Sequence, residues 1–254
     1  MLKTRIIPVL LIRNRGLYKG IKFKNHAYVG DPINTVKLFN DKEVDELILL
    51  DFEASIKNKP IDFSYLEELV SEAFMPIGYG GGIKTIEDAK KIFALGVEKV
   101  ILNTAAFLQP KIISELAHDF GNQSIVVSID VKKTIIGPFV FCYEGTKNTK
   151  YKPLDAALLM EQRGAGEIIL NDIDRDGTRS GYNLDYVEEI SKKVKIPVTI
   201  LGGASSILDF AKAKNAGAHA CAAGSLFVYQ GPHRAVLISY PRYEDLRKIL
   251  EEQK

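Results

Sequence analysis

The amino-acid sequence repeats itself at half its own length, and this repeat constrains the fold more than any other feature. Residues 80–83 (Gly-Gly-Gly-Ile) recur loosely as residues 201–204 (Leu-Gly-Gly-Ala), and residues 96–104 recur as residues 217–225. Both pairs are offset by 121 residues in a chain of 254. The repeat predicts a fold built from two similar halves, each with its own glycine-rich turns.

Short apolar runs of strand length alternate with helical patterns along the chain. Eight strands are predicted, at residues 5–11, 46–51, 75–79, 99–103, 124–130, 167–171, 197–201 and 219–223. Eight helices are predicted between and after them, at residues 31–41, 64–73, 86–95, 112–120, 153–163, 184–193, 206–216 and 243–253. Nearly continuous apolar strands, each followed by a helix, are typical of an α/β fold, the (β/α)₈ TIM barrel. We predict one domain over residues 1–254, with half-barrels at about 1–120 and 121–254.

Composition excludes several classes of function. The net charge is only +2, which gives no basis for binding nucleic acid or an anionic membrane. Cys142 and Cys221 are the only cysteines, and their spacing fits neither a disulfide framework nor a zinc site. The apolar start of the chain is short and interrupted by Pro8, so we interpret it as a buried strand. We therefore predict a cytoplasmic protein without a metal or cofactor.

The glycine-rich turns at the carboxyl ends of the strands have two interpretations. They make tight turns, or they let backbone N–H groups approach a phosphate closely. Four matched turns at equivalent places favour phosphate binding, with one site in each half. The residues concerned are Gly81, Gly82, Asn103 and Thr104 in the first half, and Gly202, Gly203, Gly224 and Ser225 in the second.

Aspartates end several of the predicted strands, where a barrel carries its active site. Asp130 ends a wholly apolar strand, so a functional role is favoured for it. Asp51 fits a functional and a structural role equally well. Asp172 and Asp174 are interpreted as residues that order the loop in which they lie. At the place equivalent to Asp130, the first half carries Leu11 instead of a second acid.

Charged residues begin four of the strands, at the opposite end of the barrel. They are Arg5, Glu46, Lys99 and Glu167. From the residues alone, solvated strand ends, or ion pairs that stabilise the bottom of the barrel, are preferred over a closed ring that plugs the barrel axis. Two long segments, 12–30 and 131–152, follow the first and fifth strands, and the second of them has room for a hairpin at about 136–143. Long loops on this side of a barrel are usually functional.

Taken together, these segments resemble the cyclase subunit of imidazole glycerol phosphate synthase over essentially the full chain. The resemblance lies in Arg5-Ile6-Ile7-Pro8, Gly30-Asp31-Pro32, Asp45-Glu46-Leu47, Gly80-Gly81-Gly82-Ile83, Asn103-Thr104-Ala105-Ala106, Arg163-Gly164-Ala165-Gly166-Glu167-Ile168 and Asp174-Arg175-Asp176-Gly177-Thr178. That family is a (β/α)₈ barrel of histidine biosynthesis. It docks a glutaminase subunit at the amino-terminal face of the barrel and uses the ammonia that arrives through the barrel axis.

The resemblance implies a role for each matching residue. It assigns the four strand-start charges to an ammonia gate, which reverses the preference for solvated ends. Lys19 matches the lysine of a mobile loop that closes over the substrate, and Asp130 matches one of two catalytic aspartates. One phosphate site matches Gly82, Asn103 and Thr104, and the other matches Asp176, Gly177, Gly203 and Ser225.

Leu11 departs from the family pattern, because the family carries an aspartate there. Loss of one acid–base partner removes about two to four orders of magnitude in rate. The chain resembles the paralogues found with surface-polysaccharide genes, and the resemblance implies that its ammonia serves amidation of a phosphorylated or nucleotide-linked sugar. Two alternatives stay open: a working cyclase of histidine biosynthesis and a non-catalytic scaffold. The related phosphoribosyl isomerase ranks lower, since it needs no ammonia gate.

Overall fold

The computed structural model describes residues 4–252 and contains a closed barrel of eight parallel strands. Gln253, the last residue of the final predicted helix, lies outside the described residues. The barrel strands are β1 (Arg5–Arg13), β2 (Leu47–Asp51), β3 (Ile77–Gly80), β4 (Lys99–Leu102), β5 (Ile125–Thr134), β6 (Glu167–Asp172), β7 (Val198–Leu201) and β8 (Ala220–Ala223). All eight predicted strands are therefore present, within a few residues of their expected ends.

Hydrogen bonding closes the sheet into a ring. Each strand pairs in parallel with its sequence neighbours, β8 pairs with β1, and β5 pairs with β6. The register places Arg5 opposite Ala220 at the amino end, and Asn171 opposite Asp130 near the carboxyl end. The two halves of the sequence repeat thus form the two halves of one barrel, which confirms the predicted fold class.

A helix follows each barrel strand and covers the outside of the sheet. The eight helices are α1 (Pro32–Asp41), α2 (Phe63–Ser71), α3 (Ile86–Ala94), α4 (Lys111–Phe120), α5 (Pro153–Gln162), α6 (Leu184–Ser191), α7 (Leu208–Asn215) and α8 (Tyr243–Glu252). Thr85 caps α3 in a reciprocal arrangement with Asp88, because each side chain accepts a hydrogen bond from the other residue's backbone N–H. No helix among the described residues is long and apolar enough to cross a lipid bilayer.

The apolar core has two parts that the sheet separates. The larger part lies between the strands and the helices. The smaller part fills the barrel interior, and its members are Ile7, Val9, Ile48, Ile101, Val126, Ile169, Leu201, Ala220 and Ala222. Inward-pointing branched side chains of this kind make the centre of a TIM barrel a packed core instead of a pore.

Two antiparallel hairpins extend the barrel above its carboxyl end. The first consists of strands Gly16–Ile21 and Lys24–Gly30, which pair with each other, and Gly16–Ile21 also pairs with the end of β1. The sequence predicted only a loop here. In the second, β5 continues to Thr134 and pairs with strand Gly137–Cys142, as the sequence suggested. Asp130 therefore lies within β5 and not at its end, because the hairpin prolongs the strand.

Several short elements complete the chain. They are helices Thr104–Leu108 and Ser225–Val228, the 3₁₀ turn Asn122–Ser124, and strands Lys147–Asn148, Tyr229–Gln230 and Ala235–Val236. The two short helices begin at Thr104 and Ser225, directly after β4 and β8. They stand at equivalent places in the two halves, which matches the sequence repeat.

Candidate functional site

A cavity opens at the carboxyl end of the barrel, between the two hairpins. Its floor consists of Val9, Leu50, Ile101 and Leu201, which belong to or pack against the apolar barrel interior. The predicted site residues that line it are Leu11, Lys19, Asp51, Gly81, Gly82, Asn103, Thr104, Asp130 and Asp176. Side chains from both halves of the sequence thus meet in one place, which we call the mouth.

Asp130 is the buried acid of the mouth. Its Oδ1 accepts a hydrogen bond from Ser128 Oγ at 2.9 Å and a longer one from Asn171 Nδ2 at 3.4 Å. Burial raises the pKa of Asp130 to about 6, although these two hydrogen bonds act in the opposite direction. A carboxyl group with such a pKa exchanges protons readily near neutral pH.

Leu11 lies in β1, at the position equivalent to Asp130 in the other half of the barrel. An apolar side chain therefore stands where a second acidic residue would line the mouth. Leu11 is paired with Leu50 on one side and with Tyr18 of the first hairpin on the other. Its side chain is partly exposed and lines the same cavity as Asp130. An isobutyl group neither donates nor accepts a proton, so Asp130 has no acid–base partner from β1.

Lys19 projects from the first hairpin into the mouth and is almost completely buried, at 4% exposure. Burial lowers its pKa, and the charge of Asp176 partly offsets this effect. The hairpin is fastened in this position, because Lys22 N donates to Asp176 O at 2.9 Å. The structure therefore places the predicted loop lysine in a closed arrangement over the mouth.

The glycine turn of the first half follows β3 and approaches β2 closely. Gly81 has a φ of +114°, and a Cβ on it would collide with the backbone oxygen of Asp51. Asn103 is engaged internally, since its Nδ2 donates to Ser128 O at 3.0 Å. Thr104 Oγ1 accepts a hydrogen bond from Tyr143 N at 3.1 Å. These residues lie together, as predicted. Some of their hydrogen-bonding atoms are already bonded to other residues of the protein.

The second-half turn forms a small separate cavity beside the mouth. It is lined by Asp176, Gly177, Arg179, Leu201, Gly202, Gly203, Ala204, Ala223, Gly224, Ser225 and Leu226. Ser225 Oγ is buried there and has no hydrogen-bond partner among the described residues. A buried hydroxyl without a partner is costly unless a ligand engages it. This turn is therefore suited to bind an anion such as a phosphate.

Three of the remaining aspartates have structural contacts. Asp51 accepts backbone hydrogen bonds from Glu53 and Ala54, so it orders the turn after β2 as well as lining the mouth. Asp172 accepts a hydrogen bond from the backbone N–H of Asp174 at 2.9 Å. Asp174 in turn accepts one from the backbone of the second hairpin. The last two contacts confirm that Asp172 and Asp174 order their loop.

At the opposite, amino-terminal end of the barrel, the four charged strand-start residues form a closed ring. Arg5 bonds Glu46 and also Glu167, the latter at 2.8 Å. Lys99 Nζ lies 2.9 Å from a carboxylate oxygen of each glutamate. Both glutamates are buried, at about 5% exposure each. These charges are therefore ion-paired with one another, which is one of the two structural alternatives, and they are not solvated strand ends.

The ring is electrostatically matched. Burial opposes the charge of Glu167, but Lys99 and Arg5 outweigh it and lower the pKa of this carboxyl group. Burial likewise opposes the charge of Arg5, and the two glutamates outweigh it and raise its pKa. The shifts of Glu167 and Arg5 both favour their charged forms. The ring thus pairs two basic side chains with two acidic ones across the barrel axis.

Sequence reasoning missed several residues of the mouth. Ser128 and Asn171 line it beside Asp130, and His26 and Glu144 reach it from the two hairpins. Arg179 lines the second-half turn. A period-two reading of β5 and β6 would have found Ser128 and Asn171, which share a face with Asp130 and Glu167. His26 and Glu144 carry no such signal, because only the packing of the hairpins brings them together.

Comparison with known proteins identifies close relatives. A family model described as histidine biosynthesis protein matches residues 5–233, which include all eight barrel strands. A Pseudomonas aeruginosa protein that carries the name imidazole glycerol phosphate synthase subunit hisF2 is 52% identical over 251 residues, 98% of this chain and 99% of its own length. A Vibrio vulnificus protein with the subunit name hisF3 is 49% identical over 257 residues, 99% and 98% of the two chains. Imidazole glycerol phosphate synthase subunit HisF of Alkaliphilus metalliredigens is 40% identical over 231 residues, 90% and 92%.

Proposed function

Because the chain belongs to the histidine biosynthesis protein family, we propose that it is the barrel subunit of a glutamine amidotransferase complex. In this proposal a glutaminase docks at the amino-terminal face and releases ammonia there. The ammonia travels along the barrel axis to the mouth and serves the amidation of a surface-polysaccharide sugar precursor. The proposal is supported by the family match and by the similarity to the relatives that carry the subunit names hisF2 and hisF3.

The observation that carries the proposal is the charged ring at the amino-terminal end. A ring of four buried or half-buried ionic groups costs desolvation energy and stabilises a fold less than an apolar plug of the same size. Its position across the barrel axis therefore supports a functional role. Arg5 is the most exposed member, with 29% of its side chain accessible, so it is the member best placed to swing aside.

The barrel interior supports passage of ammonia rather than ammonium. Above the ring the interior is lined by aliphatic side chains, including Ile7, Ile48 and Val126. A charged ammonium ion is strongly disfavoured in such surroundings, whereas neutral ammonia is not. Ala220 and Ala222 of β8 have the smallest side chains among these interior residues, so the interior is least filled on the β8 side. In this proposal the ammonia moves between these packed side chains and arrives at the floor of the mouth, whose lining also includes Asp130.

The test uses the purified barrel and a glutaminase subunit of the imidazole glycerol phosphate synthase type from the same organism. Glutamate release from glutamine is measured with and without the barrel, and complex formation is followed by size-exclusion chromatography. Binding and stimulation of glutaminase activity are expected. A barrel that neither binds nor stimulates this glutaminase contradicts the proposal. Deletion of the barrel gene is expected to remove amide nitrogen from the surface polysaccharide, as read by mass spectrometry.

A second candidate is a working cyclase of histidine biosynthesis. It is favoured by the presence of Asp130 and of both glycine turns at one mouth. Expression in a strain that lacks its own cyclase distinguishes the two functions. Growth without histidine supports the cyclase, and absence of growth from a well-expressed protein supports the amidotransferase role. Leu11 makes absence of growth the expected result.

A further inference from the structure

His26 and Glu144 meet above the mouth, each carried by one of the two hairpins. His26 lies in strand Lys24–Gly30, and Glu144 lies in the turn that follows strand Gly137–Cys142. His26 Nε2 is 3.5 Å from Glu144 Oε1. Both side chains line the cavity that also contains Asp130. The pair therefore faces whatever the mouth binds.

The carboxylate of Glu144 has no hydrogen-bond donor in the part of the chain that the structure describes. Its separation from His26 is longer than an ordinary hydrogen bond of about 2.9 Å. Only 18% of its side chain is exposed, so bulk water solvates it poorly. A half-buried carboxylate without protein donors is costly, so a ligand in the mouth that offers hydroxyl donors would stabilise it.

The turn that carries Glu144 is held in an unfavourable conformation. Tyr143 and Glu144 have φ values of +51° and +54°, which cost about 1 kcal/mol or more for each non-glycine residue. Thr146 N donates to Tyr143 O at 3.2 Å, and Tyr143 N donates to Thr104 Oγ1 at 3.1 Å. The strained turn thereby aims the carboxylate into the cavity. It also fastens Glu144 to the first-half glycine-turn site, through Thr104.

The surroundings of the pair suit an uncharged, hydroxyl-bearing group. The ring of His26 stacks on Phe52 with centroids 4.2 Å apart, and Phe23 adds a second aromatic wall. Burial, together with Arg13 and Lys19, lowers the pKa of His26, so its imidazole is neutral at pH 7. A neutral imidazole donates one hydrogen bond and a carboxylate accepts several, which matches the donor and acceptor of a hydroxyl group.

We infer that Glu144 and His26 form a subsite for the hydroxyl groups of a sugar phosphate, whose phosphate binds at a glycine turn of the same mouth. A sugar hydroxyl donates to Glu144 and accepts from the imidazole of His26. This inference rests on the proposed function, since it names the substrate class of that mouth. If the subsite binds the acceptor, the sugar that receives the nitrogen binds to the barrel subunit itself.

The test compares the binding of three probes to the full-length protein by isothermal titration calorimetry at pH 8. The probes are ribose 5-phosphate, N-acetylglucosamine 1-phosphate and inorganic phosphate. At least one sugar phosphate is expected to bind about tenfold or more tightly than inorganic phosphate, the gain from hydrogen bonds to a charged group. In Glu144→Gln this advantage is expected to fall to about twofold or less, while the Kd of inorganic phosphate stays unchanged.

Glu53→Gln is the matched control, because Glu53 is a nearby carboxylate that is paired with Arg13 and Lys57 and does not line the mouth. Glu53→Gln is expected to bind the sugar phosphate more tightly than inorganic phosphate, as the unaltered protein does. Loss of the advantage in Glu53→Gln to the same extent, or its persistence in Glu144→Gln, overturns the inference, as does equal binding of all three probes to the unaltered protein. If Glu144→Gln fails to fold, Glu144→Asp takes its place, because the shorter side chain loses reach.

Failure of the proposed function gives a different result. Glutaminase binding and stimulation are measured with the unaltered barrel, whose charged ring lies at the opposite end from Glu144. A barrel that prefers sugar phosphates but activates no glutaminase contradicts the amidotransferase proposal alone. A barrel that activates glutaminase but binds all three probes equally contradicts the sugar subsite alone.

Discussion

The ammonium group of Lys19 occupies the space that a side chain on Gly224 requires. A Cβ built on Gly224 lies 2.7 Å from Cε of Lys19 and closer still to its Nζ. The first hairpin and the second-half glycine turn are therefore fitted to each other. Closure of the mouth depends on a glycine that is distant in sequence from the lysine it accommodates.

This relationship predicts a strong coupling between the two positions. Gly224→Ala is expected to lower the free energy of unfolding by about 2 kcal/mol, the cost of overpacking a buried contact. In the Lys19→Ala background the same substitution is expected to cost at most about 1 kcal/mol, because the clash with Lys19 is gone and only the tight approach to the Val9 backbone oxygen remains. Urea unfolding of the four proteins measures this coupling, and additive effects of the two substitutions contradict it.

The charged ring predicts a large penalty for removing one of its cations. Lys99→Met leaves two buried glutamates with only Arg5 between them, and the free energy of unfolding is expected to fall by about 3 kcal/mol. Arg15→Met breaks the solvent-exposed pair with Asp62 and provides the control, with little change expected. Urea unfolding at pH 7 compares the two variants, and equal losses contradict a buried ring.

The raised pKa of Asp130 is expected to make the free energy of unfolding depend on pH. Its pKa rises from 3.8 to about 6 on folding, so ionisation is harder in the folded protein than in the unfolded chain. The cost is absent below about pH 4, grows between pH 4 and 6, and reaches about 2 to 3 kcal/mol above pH 6. Asp130→Asn is therefore expected to raise the free energy of unfolding at pH 8 and to leave it unchanged at pH 3.5. An equal effect at both pH values contradicts the shift.

Much of this architecture could be predicted from the sequence, because strands and tight turns depend on residues that are close together in the chain. The eight strands read as apolar runs because parallel strands are covered on both faces, and Gly81 marks a turn that no other residue fits. The hairpin at Gly16–Ile21 and Lys24–Gly30 was missed because its charged residues resemble those of a loop. The contact between His26 and Glu144 depends on how two hairpins pack, and the spacing of residues within either hairpin does not encode it.

Glu144 predicts a pH dependence of sugar-phosphate binding. Burial and the charge of Glu53 raise its pKa to about 7, while Arg13 and Lys57 act in the opposite direction, and His26 faces it across the mouth. The carboxylate accepts hydrogen bonds when ionised, so the advantage of a sugar phosphate over inorganic phosphate is expected to shrink as the pH falls from 8 to 6. Calorimetry with both probes is carried out on the unaltered protein and on Glu144→Gln at each pH, because the titration of the probes themselves is the same for the two proteins. In Glu144→Gln the ratio of the two Kd values is expected to change less with pH than in the unaltered protein, and an equal change in both proteins contradicts the prediction.

Leu11→Asp tests whether one carboxylate separates this barrel from a working cyclase. The new side chain lines the same cavity as Asp130, and a restored acid–base partner is worth about two orders of magnitude or more in rate. Turnover of the bisphosphorylated ribonucleotide of histidine biosynthesis, with ammonium chloride as the nitrogen source, is expected to rise by at least about a hundredfold. Leu11→Asn has nearly the same shape without the charge and is expected to give no gain. If Leu11→Asp is equally inactive, the differences in the loops around the mouth matter as much as the single acid.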